Sequence, residues 1–269
     1  MDTPTNDVFD PEDIHFSKND LTFATPYMNA AGTLGFAPDF RAPVPWDLLG
    51  TFVTNPISLR SRRPTNGPAL VEYPGGFLLH TGLPNPGLSA VVRKYARRWE
   101  DSRLPIIVHL MADRPDETAR MVEGLEGMEN IAAVELSFSP LISDDSILLT
   151  IDMALGELPL IVSLPAEMVL SLGSHVIQAG AAAISFGSPR GMLMLENGQQ
   201  VTGRLNGVGL FPQSLLSVRD AARTGLTIIG AGGVQSKQNA DSMLSVGALA
   251  VQVDGSLWKG DASAWAPTP

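Results

Sequence analysis

Several residues stand where this chain could do proton or anion chemistry. His109 falls near the end of the apolar run Ile106–Leu110, and His80 sits between Leu79 and Thr81. An imidazole changes charge near neutral pH, so either can act as an acid or a base. Glu72, Glu135 and Arg190 lie at or near comparable positions. A catalytic histidine needs a partner within hydrogen-bond reach. None is adjacent in sequence, and a structural, hydrogen-bonded histidine is the competing account. His80, His109 and a carboxylate have the types of zinc ligands but no short-range ligand spacing, so no metal is predicted. The chain has no Cys, which excludes a thiolate nucleophile, a disulfide or an iron–sulfur cluster held by its own residues. Two glycine-rich stretches, Gly230-Ala231-Gly232-Gly233 and Asp254-Gly255-Ser256, follow apolar runs. Backbone N–H groups there can approach an anion such as a phosphate, whereas the plainer role is a tight turn.

These residues need elements to carry them. Apolar runs of strand length occur at Tyr27–Ala31, Phe52–Ile57, Ile106–Leu110, Ala132–Ser137, Leu160–Leu164, Ala182–Phe186, Thr227–Gly230 and Ala248–Val253. Amphipathic stretches at Asp113–Leu125, Asp144–Leu155, Met168–Gln178, Pro212–Arg223 and Lys237–Val246 lie between them. Runs apolar on both faces fit parallel strands covered by helices. Eight alternations in 269 residues predict one α/β domain, a (β/α)8 TIM barrel, whose usual length is ~250 residues. Residues 1–13 are expected to be loose. Ile14–Phe16 and Leu21–Phe23 flank a polar turn and predict a small hairpin under the barrel. Only 16 residues follow Val253, and Pro267 and Pro269 disfavour a helix there. The last helix is therefore expected to be truncated, with 259–269 as a tail. Its groove should be covered by Leu257, Trp258 and Trp265, or by a homo-oligomeric copy or another chain, because large apolar patches are seldom left bare.

The net charge of −10 argues against nucleic acid as a partner, since phosphate contacts need clustered cations. The one basic cluster, Arg93, Lys94, Arg97 and Arg98, has helical spacing and reads as a solvated face. No run approaches the ~18 apolar residues of a membrane span, and the acidic start carries no signal-peptide pattern. The expectation is a cytoplasmic protein with a small-molecule substrate, with neither membrane nor nucleic acid as a partner.

In barrels the site lies at the C-terminal strand ends, and the motifs there resemble a known family. Met28-Asn29-Ala30-Ala31-Gly32-Thr33-Leu34-Gly35, Thr54-Asn55-Pro56-Ile57-Ser58-Leu59, Pro74-Gly75-Gly76-Phe77, Gly82-Leu83-Pro84-Asn85-Pro86-Gly87, Val134-Glu135-Leu136-Ser137, Ile161-Val162-Ser163-Leu164-Pro165 and Gly230-Ala231-Gly232-Gly233-Val234 follow the order of the class 1 dihydroorotate dehydrogenases. The resemblance spans roughly residues 14–258. It implies FMN, with the ring along Ala30, Ala31, Gly32 and Thr54 and the phosphate on Gly232, Gly233, Gly255 and Ser256. It also implies hydride transfer between the flavin and a dihydropyrimidine. The departures are marked. Asn55 and Ser163 stand where the family has Lys. Ser139 is the candidate base in a shortened loop, and Leu79, Ser137 and Gly187 stand where Asn residues grip orotate. Asp254 replaces a phosphate-loop Gly. His80, Asn85, Ser137 and Ser188 are the candidate substrate contacts. Two functions follow: an FMN-dependent oxidoreductase of orotate-like or altered substrates, or a barrel that lost flavin chemistry and binds another ligand or partner.

Overall fold

The computed structural model describes residues 21–259 and Trp265. Tyr27–Asn29 (β1) and Phe52–Val53 (β2) open the barrel, and Leu70–Tyr73 (β3) and Gly76–Leu79 (β4) form a hairpin outside it. The order continues with Leu88–Glu100 (α1), Ile106–Ala112 (β5), Pro115–Glu123 (α2), Ile131–Phe138 (β6), Asp144–Ala154 (α3), Leu160–Leu164 (β7), Ala166–Gln178 (α4) and Ala183–Phe186 (β8). A second hairpin, Arg190–Met194 (β9) and Gln200–Asn206 (β10), precedes Phe211–Arg223 (α5), Ile228–Gly230 (β11), Lys237–Ser245 (α6) and Ala250–Val253 (β12). All eight predicted barrel strands occur, within a few residues of their expected bounds.

The barrel sheet runs β1-β12-β11-β8-β7-β6-β5-β2, with every pair parallel. The seam between β1 and β2 closes through one parallel bridge, Met28 to Thr51, and through Asn29. The Asn29 carboxamide donates from Nδ2 to Val53 O at 2.6 Å and accepts from Val53 N–H at 3.0 Å. A carboxamide carries the same donor and acceptor as a peptide group, so the side chain supplies the ladder step that these short strands lack.

Alternation along the strands stacks two layers inside the barrel. Met28, Val53, Ile107, Ala133, Ile161, Ala183, Ile229 and Ala250, one from each strand, form a dry interior cluster. Leu21 and Phe23 pack against it. The predicted Ile14–Phe16 arm lies outside the described residues. Two residues further along the strands come Asn55, His109, Glu135, Ser163, Ser185 and Gln252, so the interior turns polar towards the C-terminal ends.

Two features depart from a regular (β/α)8 array. The connection after β1 carries a short 3-10 turn, Trp46–Leu48, in place of a helix, and β12 is followed by a 3-10 turn at Gly255–Lys259. Leu257 and Trp265, expected to cover the groove beside the last strand, are buried and join the main core. The side chain of Trp258 lies outside the described residues. The second feature is a four-stranded antiparallel sheet of order β3-β4-β10-β9, built from the two hairpins. Among the described residues no helix is long and apolar enough to cross a membrane.

Candidate active site

Register along two neighbouring strands builds a connected, largely buried polar cluster at the mouth of the barrel. His109 on β5 is the direct partner of Glu135 on β6. Its Nδ1 lies 2.5 Å from Glu135 Oε2, and its Nε2 lies 2.8 Å from Ser137 Oγ. Ser137 is two residues beyond Glu135, so both side chains leave the same face of β6. The other carboxylate oxygen, Oε1, accepts from the Ser185 hydroxyl and the Gln252 amide, each at 2.6 Å. Glu135, Ser185 and Gln252 are buried, as is His109.

Burial opposes a charge on Glu135, but the His109 imidazole and the hydrogen bonds from His109, Ser185 and Gln252 outweigh it and hold the carboxyl below the usual carboxylate range. An ionised carboxylate can only accept hydrogen bonds. Nδ1 of His109 must therefore carry the proton, and in the neutral ring Nε2 is left to accept from Ser137. Thr54, expected to touch the flavin, instead accepts through Oγ1 from the His109 backbone N–H at 3.0 Å and is fully buried.

Ser137 opens onto two cavities, of about 300 and 170 Å3. A third, of about 40 Å3, lies between Ala30, Ala31, Ser163, Ser188 and Gly232. Arg204 on β10 lines all three, so one side chain partitions a single mouth. Its guanidinium has neither an ion pair nor a hydrogen bond among the described residues. Burial and the neighbouring Arg190 lower its pKa. An arginine placed this way in a cleft is a socket for an anion.

The other predicted residues divide. Ser139 lines the two larger cavities and His80 the largest, with His80 Nε2 3.0 Å from Thr65 Oγ1. Ser163 and Ser188 reach the mouth. Asn55 does not line these cavities; its Oδ1 accepts from Gly35 N–H at 3.1 Å and pins the loop after β1. Asn85, expected as a substrate contact, is consumed by the turn before α1: Oδ1 accepts from Ser58 and Gly87 N–H, and Nδ2 donates to Ser58 Oγ and Leu83 O. Among the described residues no three His, Asp or Glu side chains converge as metal ligands. Arg204 was missed by the sequence reading.

FMN would need a phosphate socket and a flat, small-residue strip. Gly232 and Gly233 both have positive φ, at 104° and 71°. A side chain at Gly232 would strike Ser214, and one at Gly233 would strike the Phe211 backbone, so both glycines are also required for packing on α5. The Ser256 hydroxyl is buried with no partner, as a missing acceptor at this end would leave it. Ala30, Ala31 and Gly32, at the end of β1, are small enough for such a strip. These donors fit the cofactor's phosphate, and Arg204 lies against Gly32. The one misfit is Asp254: Oδ1 takes the Gly255 N–H at 2.6 Å. Burial raises the Asp254 pKa, which tempers its repulsion of a phosphate.

A family model described as dihydroorotate dehydrogenase matches residues 15–145. The chain is 31% identical over 254 residues to the catalytic subunit of dihydroorotate dehydrogenase B (NAD(+)) of Trichlorobacter lovleyi, covering 87% of this chain and 84% of that one. It is 30% identical, with the same coverage, to the corresponding subunit of Pelobacter propionicus. Among solved structures, a DHODH from Eimeria tenella in complex with ferulenol superposes with a TM-score of 0.71 at 19% identity, covering 91% of this chain and 79% of that one. The strand order, the glycine loops at the ends of β11 and β12 and these relatives lead to one conclusion: the chain belongs to the dihydroorotate dehydrogenase family.

Proposed function

We propose that this protein is an FMN-dependent oxidoreductase of CH–CH bonds that acts in the cytoplasm on a small, planar, carboxylate-bearing ring of the orotate type, altered from orotate itself. The observation that carries this reading is Arg204, whose guanidinium is unpaired among the described residues and lines three adjoining cavities beside the Ala30–Gly32 strip. The flavin, when bound, supplies the hydride acceptor. The Gly232 and Gly233 N–H groups and the Ser256 hydroxyl would hold its phosphate, with the Gly255 N–H joining them once it is released from Asp254. Arg204, with Arg190 beside it, binds the substrate's carboxylate. It also brings to this mouth a positive charge that Asn55 and Ser163 do not carry. A fixed cation facing a developing anion in a dry site lowers the barrier by several kcal/mol.

Proton transfer falls to Ser137 rather than Ser139. Ser137 is hydrogen-bonded to His109, whereas no basic side chain holds the Ser139 hydroxyl among the described residues. His109 takes the proton passed by Ser137, and Glu135 stabilises the imidazolium. Ser163 and Ser188 orient the ring's polar edge.

The test is anaerobic. FMN-loaded protein is mixed with dihydroorotate and with ring-substituted dihydropyrimidine carboxylates, and bleaching of the flavin is followed. Reduction by a carboxylated analogue, with dihydroorotate itself slow, is expected. Failure of every carboxylated ring to reduce the flavin overturns the reading.

A further inference from the structure

We infer that Ser137 is an activated nucleophile, and that the same mouth hydrolyses small esters bearing a carboxylate by acyl transfer, independently of any flavin. Three observations converge. The serine hydroxyl, the imidazole and the buried carboxylate are joined in sequence at 2.8 and 2.5 Å, the spacing of a nucleophile, its base and the group that orients the base. The alternative contact of the Ser137 hydroxyl, to Leu110 O, is longer at 3.4 Å. Glu135 is fixed from behind by Ser185 and Gln252, so the imidazole is held in the tautomer that leaves Nε2 free to accept a proton. The hydroxyl is not sealed in: it faces cavities of about 300 and 170 Å3, large enough for a small ester.

Charge on the opposite wall selects the substrate. Arg190 and Arg204 both line these cavities. One guanidinium can hold a remote carboxylate while the other faces the carbonyl oxygen as it gains charge. The chemistry balances with water as the only co-reactant. Ser137 Oγ forms a bond to the carbonyl carbon, and its proton moves to His109 Nε2. The tetrahedral oxyanion collapses, the ester C–O bond breaks, and His109 returns the proton to the departing oxygen. Water, deprotonated by His109, then adds to the acyl-serine. The carboxylic acid leaves and Ser137 regains its proton.

The experiment has two arms, each run on full-length protein with and without added FMN. In the first, a fluorophosphonate probe is mixed with wild type, Ser137→Ala, His109→Gln, Glu135→Gln and the exposed control Ser171→Ala, and the labelled peptide is identified by mass. Serine displacement of fluoride should label Ser137 in wild type and Ser171→Ala. It should vanish in Ser137→Ala and slow at least 100-fold in His109→Gln. Ser137→Ala changes one half-buried hydroxyl, and far-UV circular dichroism and melting confirm its fold, so the result stands even if the buried His109 and Glu135 variants misfold. In the second arm, 4-nitrophenyl 4-carboxybenzoate is compared with 4-nitrophenyl benzoate. The carboxylated ester should turn over at least tenfold faster, and Arg204→Gln should abolish that preference. The proposal is overturned if folded wild type is unlabelled, if labelling persists in Ser137→Ala, or if ester cleavage equals that in buffer. A protein that labels but binds no FMN sinks the oxidoreductase reading alone.

Discussion

Replacing Glu135 with Ala tests the polar cluster that organises the mouth. The wild-type carboxylate, 1% exposed, accepts from the His109 ring, the Ser185 hydroxyl and the Gln252 amide. Removing it leaves those donors facing a void. Each buried donor without a partner costs about 1–3 kcal/mol. Re-orientation of the Ser185 hydroxyl and a tautomer switch of His109 recover part of that. The loss of a carboxylate that was itself costly to bury offsets more. The expected net is about 3–5 kcal/mol, the range for breaking one side of a buried pair. In a chain of this size each kcal/mol moves the melting temperature by about 2–4 °C. Urea unfolding at neutral pH should therefore show a clear loss. The pH dependence adds a second reading. Glu135 has its folded pKa lowered from 4.5. Its stabilising contribution is complete above that ordinary value and lost as pH falls through the lower folded value. The gap between wild type and Glu135→Ala should therefore close in acid. A difference under about 1 kcal/mol, with parallel pH profiles, would refute the assignment of Glu135 as an ionised anchor.

Other expectations are simpler to state. Asp254→Gly should tighten FMN binding about tenfold, equivalent to ~1.4 kcal/mol. Because the raised Asp254 pKa means its charge appears as pH rises through it, wild-type affinity should weaken in the same direction; fluorescence titration at two pH values checks both. Arg204→Met should weaken binding of orotate-like carboxylates by roughly 10–100-fold, the worth of a charge-assisted hydrogen bond, while raising the melting temperature of ligand-free protein. Asn29→Ala should cost about 2 kcal/mol by removing both seam hydrogen bonds, measured by urea unfolding. Trp265→Ala should cost about 3–5 kcal/mol if the tail covers the groove; an unchanged melting temperature would defeat that account.

The barrel is legible because its strands are apolar on both faces and the last five each follow an amphipathic stretch, a pattern that survives without knowledge of partners. The glycine loop at Gly232 and Gly233 is legible for the same reason, since a positive φ and a close approach are properties of one position. The polar cluster was not. His109 and Glu135 lie 26 residues apart, and only the register of β5 against β6 makes them neighbours, so each histidine read alone appeared unpartnered. The turn-building bonds of Asn85 are not legible either, because residue type alone does not show them. Arg204 had a signal that went unused: Asn197-Gly198 marks a hairpin turn between Arg190–Met194 and Gln200–Asn206. Recognising that hairpin would have raised a second sheet, β3-β4-β10-β9, and drawn attention to its arginines.

The central claim is that this mouth holds FMN. Protein purified with FMN supplied, then freed of unbound cofactor, should keep the yellow flavin absorption at one FMN per chain. Titrating flavin-free protein should quench FMN fluorescence to the same stoichiometry, more tightly in Asp254→Gly than in wild type. Folded protein that retains no flavin, and quenches none in either form, would contradict the account.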